Sequence, residues 1–187
     1  KLAARSAFTP IAPLFNDRLL QLVNDPAYPH APLLSKYLKV DERVVNYLLG
    51  ADDIDAALLP YVHSGSLSTS MADLLLPSDV KRRLLLLSHA SRTQQQPLLL
   101  YFQGPYGVGK ETTAAALANE LGMGLLVVDG EQLLTTEERA FESTLRLILR
   151  EALFQNALLY WTGFDALLRE ERRAWCDLLL RELAKRS

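Results

Sequence analysis

The chain has 187 residues, of which 49% are hydrophobic and 22% are charged, and its formal net charge is −2 at pH 7. These values are ordinary for a globular protein with one core plus a small appendage. The charge gives no argument for nucleic acid or an anionic membrane as a partner, and no apolar run approaches the roughly 18 residues of a membrane span. Its single cysteine, Cys176, excludes an internal disulfide framework and favours a reducing compartment, so we expect a cytoplasmic protein.

The first region, residues 1–94, is rich in leucine and interrupted by prolines, and we interpret it as a small all-α region. LLSKYLKVDERVVNYLLG at 33–50 predicts a helix, a turn and a second helix, with Asp41 as the N-cap of the second helix and Gly50 at its end. Many such helix pairs touch no DNA, and this second helix carries two acidic residues against one basic residue near its start. DNA binding is therefore the less favoured interpretation. The remaining predicted elements of the region are a polar loop at 62–71 and a helix over 78–91.

The second region, residues 97–187, alternates apolar runs with helical patterns. The predicted strands are PLLLYF (97–102), GLLVVDG (124–130) and NALLYWTGF (156–164). One helix between them has the apolar face Phe141, Leu145, Ile148, Leu149 and Ala152. Because strands that alternate with helices are joined by parallel crossovers, we expect an α/β fold with a parallel sheet and flanking helices.

A glycine-rich loop separates the first predicted strand from a helix. Gly104–Lys110, read GPYGVGK, matches the phosphate-loop pattern G-x-x-x-x-G-K in the context that this motif requires. Glycines allow successive backbone N–H groups to point at an anion, the helix N-terminus adds positive charge, and Lys110 would reach the outer phosphates. The alternative is a purely structural glycine loop. The candidate nucleotide-binding residues are Gly104, Pro105, Tyr106, Gly107, Val108, Gly109, Lys110, Glu111 and Thr112.

The residue after the lysine departs from this pattern. Where the motif has a Ser or Thr whose hydroxyl binds Mg²⁺, the chain has Glu111, whose charge would repel phosphate oxygens. Thr112 supplies a hydroxyl one position later, which on a helix points about 100° away. Magnesium binding at the usual position is therefore left open, and we assign no metal ligand and no catalytic residue.

GPYGVGKETTAAALANELG, GLLVVDG and ALLYWTGFDAL together resemble the AAA+ ATPase family over residues 97–187. The resemblance is to bacterial multidomain members, in which the ATPase module follows a small helical segment. It implies ATP or ADP in a crevice at the strand ends, and homo-oligomeric rings in full-length members.

The same resemblance concerns the end of the third predicted strand. Family members have a pattern like hhhhDExDAL there, in which the Asp supports Mg²⁺ and the Glu polarises the attacking water. Aligned on Asp165, which matches the trailing acid, these two positions fall on Thr162 and Gly163. A Walker A loop with degenerate magnesium and Walker B positions predicts ATP or ADP binding with weak or no hydrolysis.

The chain begins at Lys1 rather than at a methionine and ends before the strand and lid that the resemblance implies, so we interpret it as a fragment. In the family the fourth strand lies between the first and the third. Three alternatives to the leading interpretation stay open. They are an interaction module that binds no nucleotide, an active ATPase whose metal is held by Glu111 or Asp165, and, less favoured, a small-molecule P-loop kinase.

Overall fold

The computed structural model describes residue 9, residues 12–28, residue 30 and residues 32–185. The chain divides into two compact units, Lys1–Asp55 and Ala56–Ser187. The domain boundary expected between residues 94 and 97 lies inside the second unit and stays a prediction. Among the helices in the described ranges, none combines the length and the apolar character needed to cross a bilayer.

The described part of the first unit contains a two-stranded antiparallel sheet and two short helices. Its described elements are α1 (Pro13–Asn16), β1 (Leu20–Val23), β2 (Tyr37–Val40) and α2 (Glu42–Leu48), with a 3₁₀ turn at Leu33–Ser35. In the sheet, Leu20 lies opposite Val40 and Val23 lies opposite Tyr37.

The expectation of an all-α first region is wrong. The first half of 33–50, predicted as a helix, forms a 3₁₀ turn and then β2, whose four residues are all exposed. Pairing with β1 satisfies the backbone of β2, and this contact overrides the helix propensity of its leucine and lysine. The second predicted helix is confirmed, because the Asp41 carboxylate accepts a hydrogen bond from the Arg43 backbone N–H at 3.1 Å, and Gly50 follows the helix with φ 85°.

The second unit has a three-stranded sheet with helices packed against it. Its elements are β3 (Val62–Ser64), α3 (Ser78–Gln94), α4 (Lys110–Glu120), β4 (Gly124–Asp129), α5 (Gly130–Leu133), α6 (Glu138–Phe154), β5 (Ala157–Thr162) and α7 (Arg173–Ala184). Short 3₁₀ turns lie at Ala56–Leu58, Phe164–Ala166 and Glu170–Arg172. The strand order is β3-β4-β5.

Strands β4 and β5 are parallel, as the sequence predicts, and Asp129 at the end of β4 lies opposite Thr162 at the end of β5. The sheet as a whole is mixed rather than parallel, because β3 runs antiparallel to β4. This corrects the polar loop predicted at 62–71. Val62 is buried, and Gly65 lies so close to β4 that a Cβ there would be 2.4 Å from Leu125 Cδ2.

Residues 97–102, which the sequence predicts as the first strand, do not form a strand. Alternate side chains of the segment still face the core, since Leu100 and Phe102 are half-buried against apolar clusters that include α4. Leu99 and Tyr101, which alternate with them along the chain, are exposed. The segment therefore has a strand-like alternation of burial without a β-ladder partner among the described residues.

Helix α4 is buried on two sides, and this packing holds the loop that precedes it. Ala114, Ala115 and Ala118 pack with Leu125 and Val127 of β4. On the other side, the residues packed together are Ala116, Leu117, Leu121 and Met71, with Leu84 and Leu85 of α3 against them. Alanine side chains allow the helix axis to approach the sheet closely, so the alanine-rich sequence fits this position.

Helix α6 packs against β5, and α7 packs against α6. The predicted apolar face of α6 is confirmed, because Phe141, Leu145, Ile148, Leu149 and Ala152 are all buried. The Phe141 ring packs against the Trp175 ring of α7, with 4.5 Å between the centroids. These aromatic rings anchor α7 on α6.

Candidate nucleotide-binding site

The backbone of the glycine-rich loop takes conformations that favour glycine. Gly107 has φ 83° and Gly109 has φ 84°, both in the left-handed region. Gly109 is also the N-cap of α4, and no side chain caps the helix there. The loop thus leads into a helix N-terminus that no protein side chain caps, with residues that permit the required turns.

Lys110 is the first residue of α4, and its side chain folds back over the loop. Its Nζ donates hydrogen bonds to the backbone oxygens of Gly104 at 2.7 Å and Pro105 at 2.9 Å. The ammonium charge therefore lies against the first residues of the loop rather than out in solvent. This places a cation next to the turn that the two left-handed glycines form.

The rest of the loop is open to solvent. The residues of 104–108 are all exposed, and the Tyr106 side chain is fully exposed while Val108 is 56% exposed. The Val108 side chain lies near the start of the loop, since a Cβ at Gly104 would be 3.2 Å from Val108 Cγ2. The nine candidate residues form one continuous segment, 104–112, at the N-terminus of α4.

The hydroxyl groups near the start of α4 are not arranged as in the usual magnesium site. Glu111 and Thr112 are both exposed, and the hydroxyl of buried Thr113 donates to the Gly109 backbone oxygen at 2.8 Å. Among the described residues no group of three His, Cys, Asp or Glu side chains could hold a metal ion. The residues present therefore do not fit the usual Mg²⁺ arrangement.

Glu111 lies near the sheet as well as near the loop. Burial raises the pKa of the half-buried Tyr160 on β5, and the negative charge of Glu111 raises that pKa further. Helix α4, which begins at Lys110, packs against β5.

A second group of residues surrounds the carboxyl ends of β4 and β5. Asp129 caps α5, because its Oδ1 accepts a hydrogen bond from the Gln132 backbone N–H at 2.9 Å. The Thr162 hydroxyl donates to the Val128 backbone oxygen at 3.1 Å. Gly163, which follows β5, has φ 61°. Of the two positions aligned with the family's acids, one thus carries an engaged hydroxyl and the other carries no side chain.

Asp165 is held by a tyrosine from the segment that enters the loop. The Tyr101 hydroxyl donates a hydrogen bond to Asp165 Oδ1, and this bond raises the pKa of Tyr101 above its ordinary value. The Tyr101 and Phe164 ring centroids lie 6.2 Å apart. These contacts bring the residues just before Gly104 to the end of β5. The sequence analysis did not identify Tyr101. Its hydroxyl group, within the otherwise apolar run 97–102, was the signal that could have identified it.

A phosphate-type loop before a helix, packed on a parallel pair of strands, is compatible with a P-loop NTPase-like fold. Residues 100–187 match the family model ATPase family associated with various cellular activities (AAA). The resemblance stated from the sequence is thereby confirmed, and the match suggests a nucleotide-binding module.

Residues 1–62 match a second family model, Winged helix domain, variant, which the sequence analysis did not foresee. The chain matches no curated protein and no solved structure. These two matches are the similarities found for the two regions.

Proposed function

We propose that residues 97–187 form an AAA+-type module that binds ATP or ADP at the loop 104–112 and hydrolyses it weakly or not at all. One observation carries this proposal. Lys110 Nζ lies against the first residues of an open loop whose glycines have left-handed φ values, directly before an N-terminus that no side chain caps. Backbone N–H groups, helix dipole and ammonium are the three features that phosphate recognition uses.

The support for weak hydrolysis is the set of groups that would act on a metal or a water. Position 111 carries a glutamate in place of a hydroxyl, the Thr162 hydroxyl is engaged with Val128, and Gly163 has no side chain. Removal of one preorganised stabilising group typically costs about 2.7–4 kcal/mol, or 10²–10³ in rate. Such losses do not add simply, but even one of them is severe for a hydrolase.

A second candidate function is an interaction module that keeps the fold and binds no nucleotide. The observation that favours it is the pair of hydrogen bonds that Lys110 makes with its own loop, because they satisfy two of its three donors without a phosphate. The third candidate, an active ATPase with a relocated ligand, would rely on Glu111 or Asp165. Asp165 already accepts a hydrogen bond from Tyr101.

Assembly and location are proposals of the same kind. Family members often form oligomers, so we propose a homo-oligomer for the protein that contains this module. A cytoplasmic location rests on the single cysteine of the chain. Magnesium is left out of the proposed site because the residues at the start of α4 do not supply its usual ligands.

The test is a titration with fluorescently labelled ATP, with and without Mg²⁺. We expect saturable binding that changes less than about threefold when Mg²⁺ is removed. Lys110→Ala should weaken binding at least tenfold, which is about 1.4 kcal/mol. Lys39→Ala, which removes an exposed lysine of β2 in the first unit, is the matched control and should bind as the wild type does.

Three results separate the candidates. Absence of binding by the wild type, with its fold verified by circular dichroism, would favour the interaction module. Mg²⁺-dependent turnover at about 1–100 per second, the range of phosphoryl-transfer enzymes such as kinases, would favour the active enzyme. Binding that survives Lys110→Ala would refute the assignment of the loop.

A further inference from the structure

A glutamate of α5, the short helix that follows β4, fills the space in which a side chain of residue 163 would lie. A Cβ built on Gly163 would be 2.7 Å from Glu131 Cγ and 3.4 Å from Glu131 Oε1. Sequence alignment alone leaves position 163 without a carboxylate. In three dimensions a carboxylate stands next to that position, supplied by the neighbouring strand end.

The backbone around Glu131 is held in place by close contacts. Asp129 caps the turn of α5 that contains Glu131, through its hydrogen bond with the Gln132 N–H. Gly130 lies so close to β5 that a Cβ there would be 2.0 Å from Trp161 Nε1 and 2.4 Å from the Thr162 backbone oxygen. Residues 129–132 are therefore pressed against the end of β5, and this fixes where the Glu131 side chain begins.

The same edge of the sheet carries the phosphate loop. Helix α4 packs on both β4 and β5, and the charge of Glu111 in its first turn reaches Tyr160 of β5. Tyr101, three residues before Gly104, contacts Phe164 and Asp165, which follow Gly163 directly. In open α/β sheets ligands bind outside the carboxyl ends of the strands, which is where Glu131 lies.

Of the three acidic side chains next to the ends of β4 and β5, Asp129, Glu131 and Asp165, Glu131 is the one whose carboxylate is not engaged. Asp129 caps α5 and Asp165 accepts from Tyr101. The Glu131 side chain is exposed, and its carboxylate makes no hydrogen bond or ion pair within the described ranges of the chain. The backbone of Glu131 is held in place while its carboxylate is exposed and unengaged, so the carboxylate can accept a proton from a water molecule at this edge.

We propose that Glu131 is the general base of the residual nucleoside triphosphate hydrolysis, in the place that Gly163 leaves open; this rests on the proposed function. The carboxylate accepts a proton from the attacking water as the water oxygen bonds to the γ-phosphorus. The bond between that phosphorus and the bridging oxygen breaks, which gives nucleoside diphosphate and inorganic phosphate. The proton then passes from Glu131 to solvent.

The kinetic test is single-turnover hydrolysis of γ-³²P-labelled ATP, with binding of labelled ATP measured in parallel. Glu131→Gln should slow hydrolysis at least tenfold, since a positioned base typically contributes 10²–10⁴ in rate, and should change the Kd less than twofold. Glu137→Gln, an exposed carboxylate farther along the same connection, is the matched control and should leave both values unchanged.

A structural test needs no nucleotide. Because the Gly163 Cβ position is 2.7 Å from Glu131 Cγ, the two Cβ atoms fall within the separation of about 3.5–4.5 Å that a disulfide requires. Glu131→Cys with Gly163→Cys, in a Cys176→Ser background, should form a disulfide with oxidised glutathione, seen as a mass loss of two hydrogens. Gln132→Cys with Gly163→Cys is the control and should form it much more slowly.

The outcomes distinguish this inference from the proposed function. Unchanged turnover of Glu131→Gln, or failure of the 131–163 disulfide, overturns the role of Glu131 and leaves nucleotide binding standing. Wild-type protein that binds ATP without any turnover also overturns the role of Glu131 alone. Wild-type protein that binds no ATP overturns both.

Discussion

The replacement Gly130→Ala tests the contact that holds the ends of β4 and β5 together. A Cβ at this position would lie 2.0 Å from Trp161 Nε1, 2.6 Å from Trp161 Cδ1 and 2.4 Å from the Thr162 backbone oxygen. Real Cβ atoms essentially never approach another heavy atom within 3.0 Å. The added methyl group must therefore move an indole ring and a strand, not the free end of a flexible side chain.

The magnitude follows from what has to move. Overpacking typically costs about 1–3 kcal/mol, and we expect the upper end or more because one of the three atoms belongs to the backbone of β5. For a domain of this size, about 3 °C of melting temperature corresponds to 1 kcal/mol. Gly130→Ala should therefore lower the Tm by roughly 9 °C or more.

Thermal unfolding followed by circular dichroism measures this change. Gly122→Ala is the comparison, because Gly122 has φ 63° with nothing within 4 Å of its Cβ position, so its cost is backbone strain alone, about 1–2 kcal/mol. Trp161→Ala removes the indole ring and with it two of the three close atoms, so Gly130→Ala should cost clearly less in that background. A Tm within 2 °C of the wild type for Gly130→Ala would refute the reasoning.

Two further predictions concern the packing around α7. Phe141→Ala should lower the free energy of unfolding by about 3–5 kcal/mol, measured by urea denaturation, because the ring is fully buried against Trp175; a loss below 1 kcal/mol would contradict this packing. Burial raises the pKa of the Cys176 thiol, and the charge of Asp177 raises it further. The thiolate fraction at pH 8 is therefore reduced, so iodoacetamide should react with Cys176 more slowly than with a cysteine peptide, and Asp177→Asn should speed the reaction.

The elements that the sequence predicts correctly are those whose signal is local. The glycine spacing of 104–110 and the helical spacing of the α6 apolar face need only a few neighbouring residues to be recognised. The two buried runs that became β4 and β5 are continuous stretches of apolar residues. In α6 the burial expected from the pattern is the burial found, because the pattern and the contact have the same period. The interior of β4 is buried as expected, whereas β5 is half-buried after Ala157.

The elements that the sequence predicts wrongly depend on partners far away in the chain. Residues 37–40 form a strand because they pair with 20–23, and residues 62–64 form a strand because they pair with 126–128. The run 97–102 has the composition of a strand, yet no ladder partner lies beside it among the described residues. Composition predicts which segments can pair, whereas pairing itself depends on the rest of the fold.

One part of the candidate site is specified by a local motif, and the other part depends on residues that are far apart in the chain. The phosphate loop and Lys110 are connected by contacts between residues five and six positions apart, so a short motif specifies them. A carboxylate that accepts a proton from the attacking water has to lie at the strand ends, and it can belong to a residue that follows β4 or to one that follows β5. We propose that Glu131 takes this place. Its Cγ lies 2.7 Å from the Cβ position of Gly163, and a short motif does not specify a contact between residues so far apart in the chain.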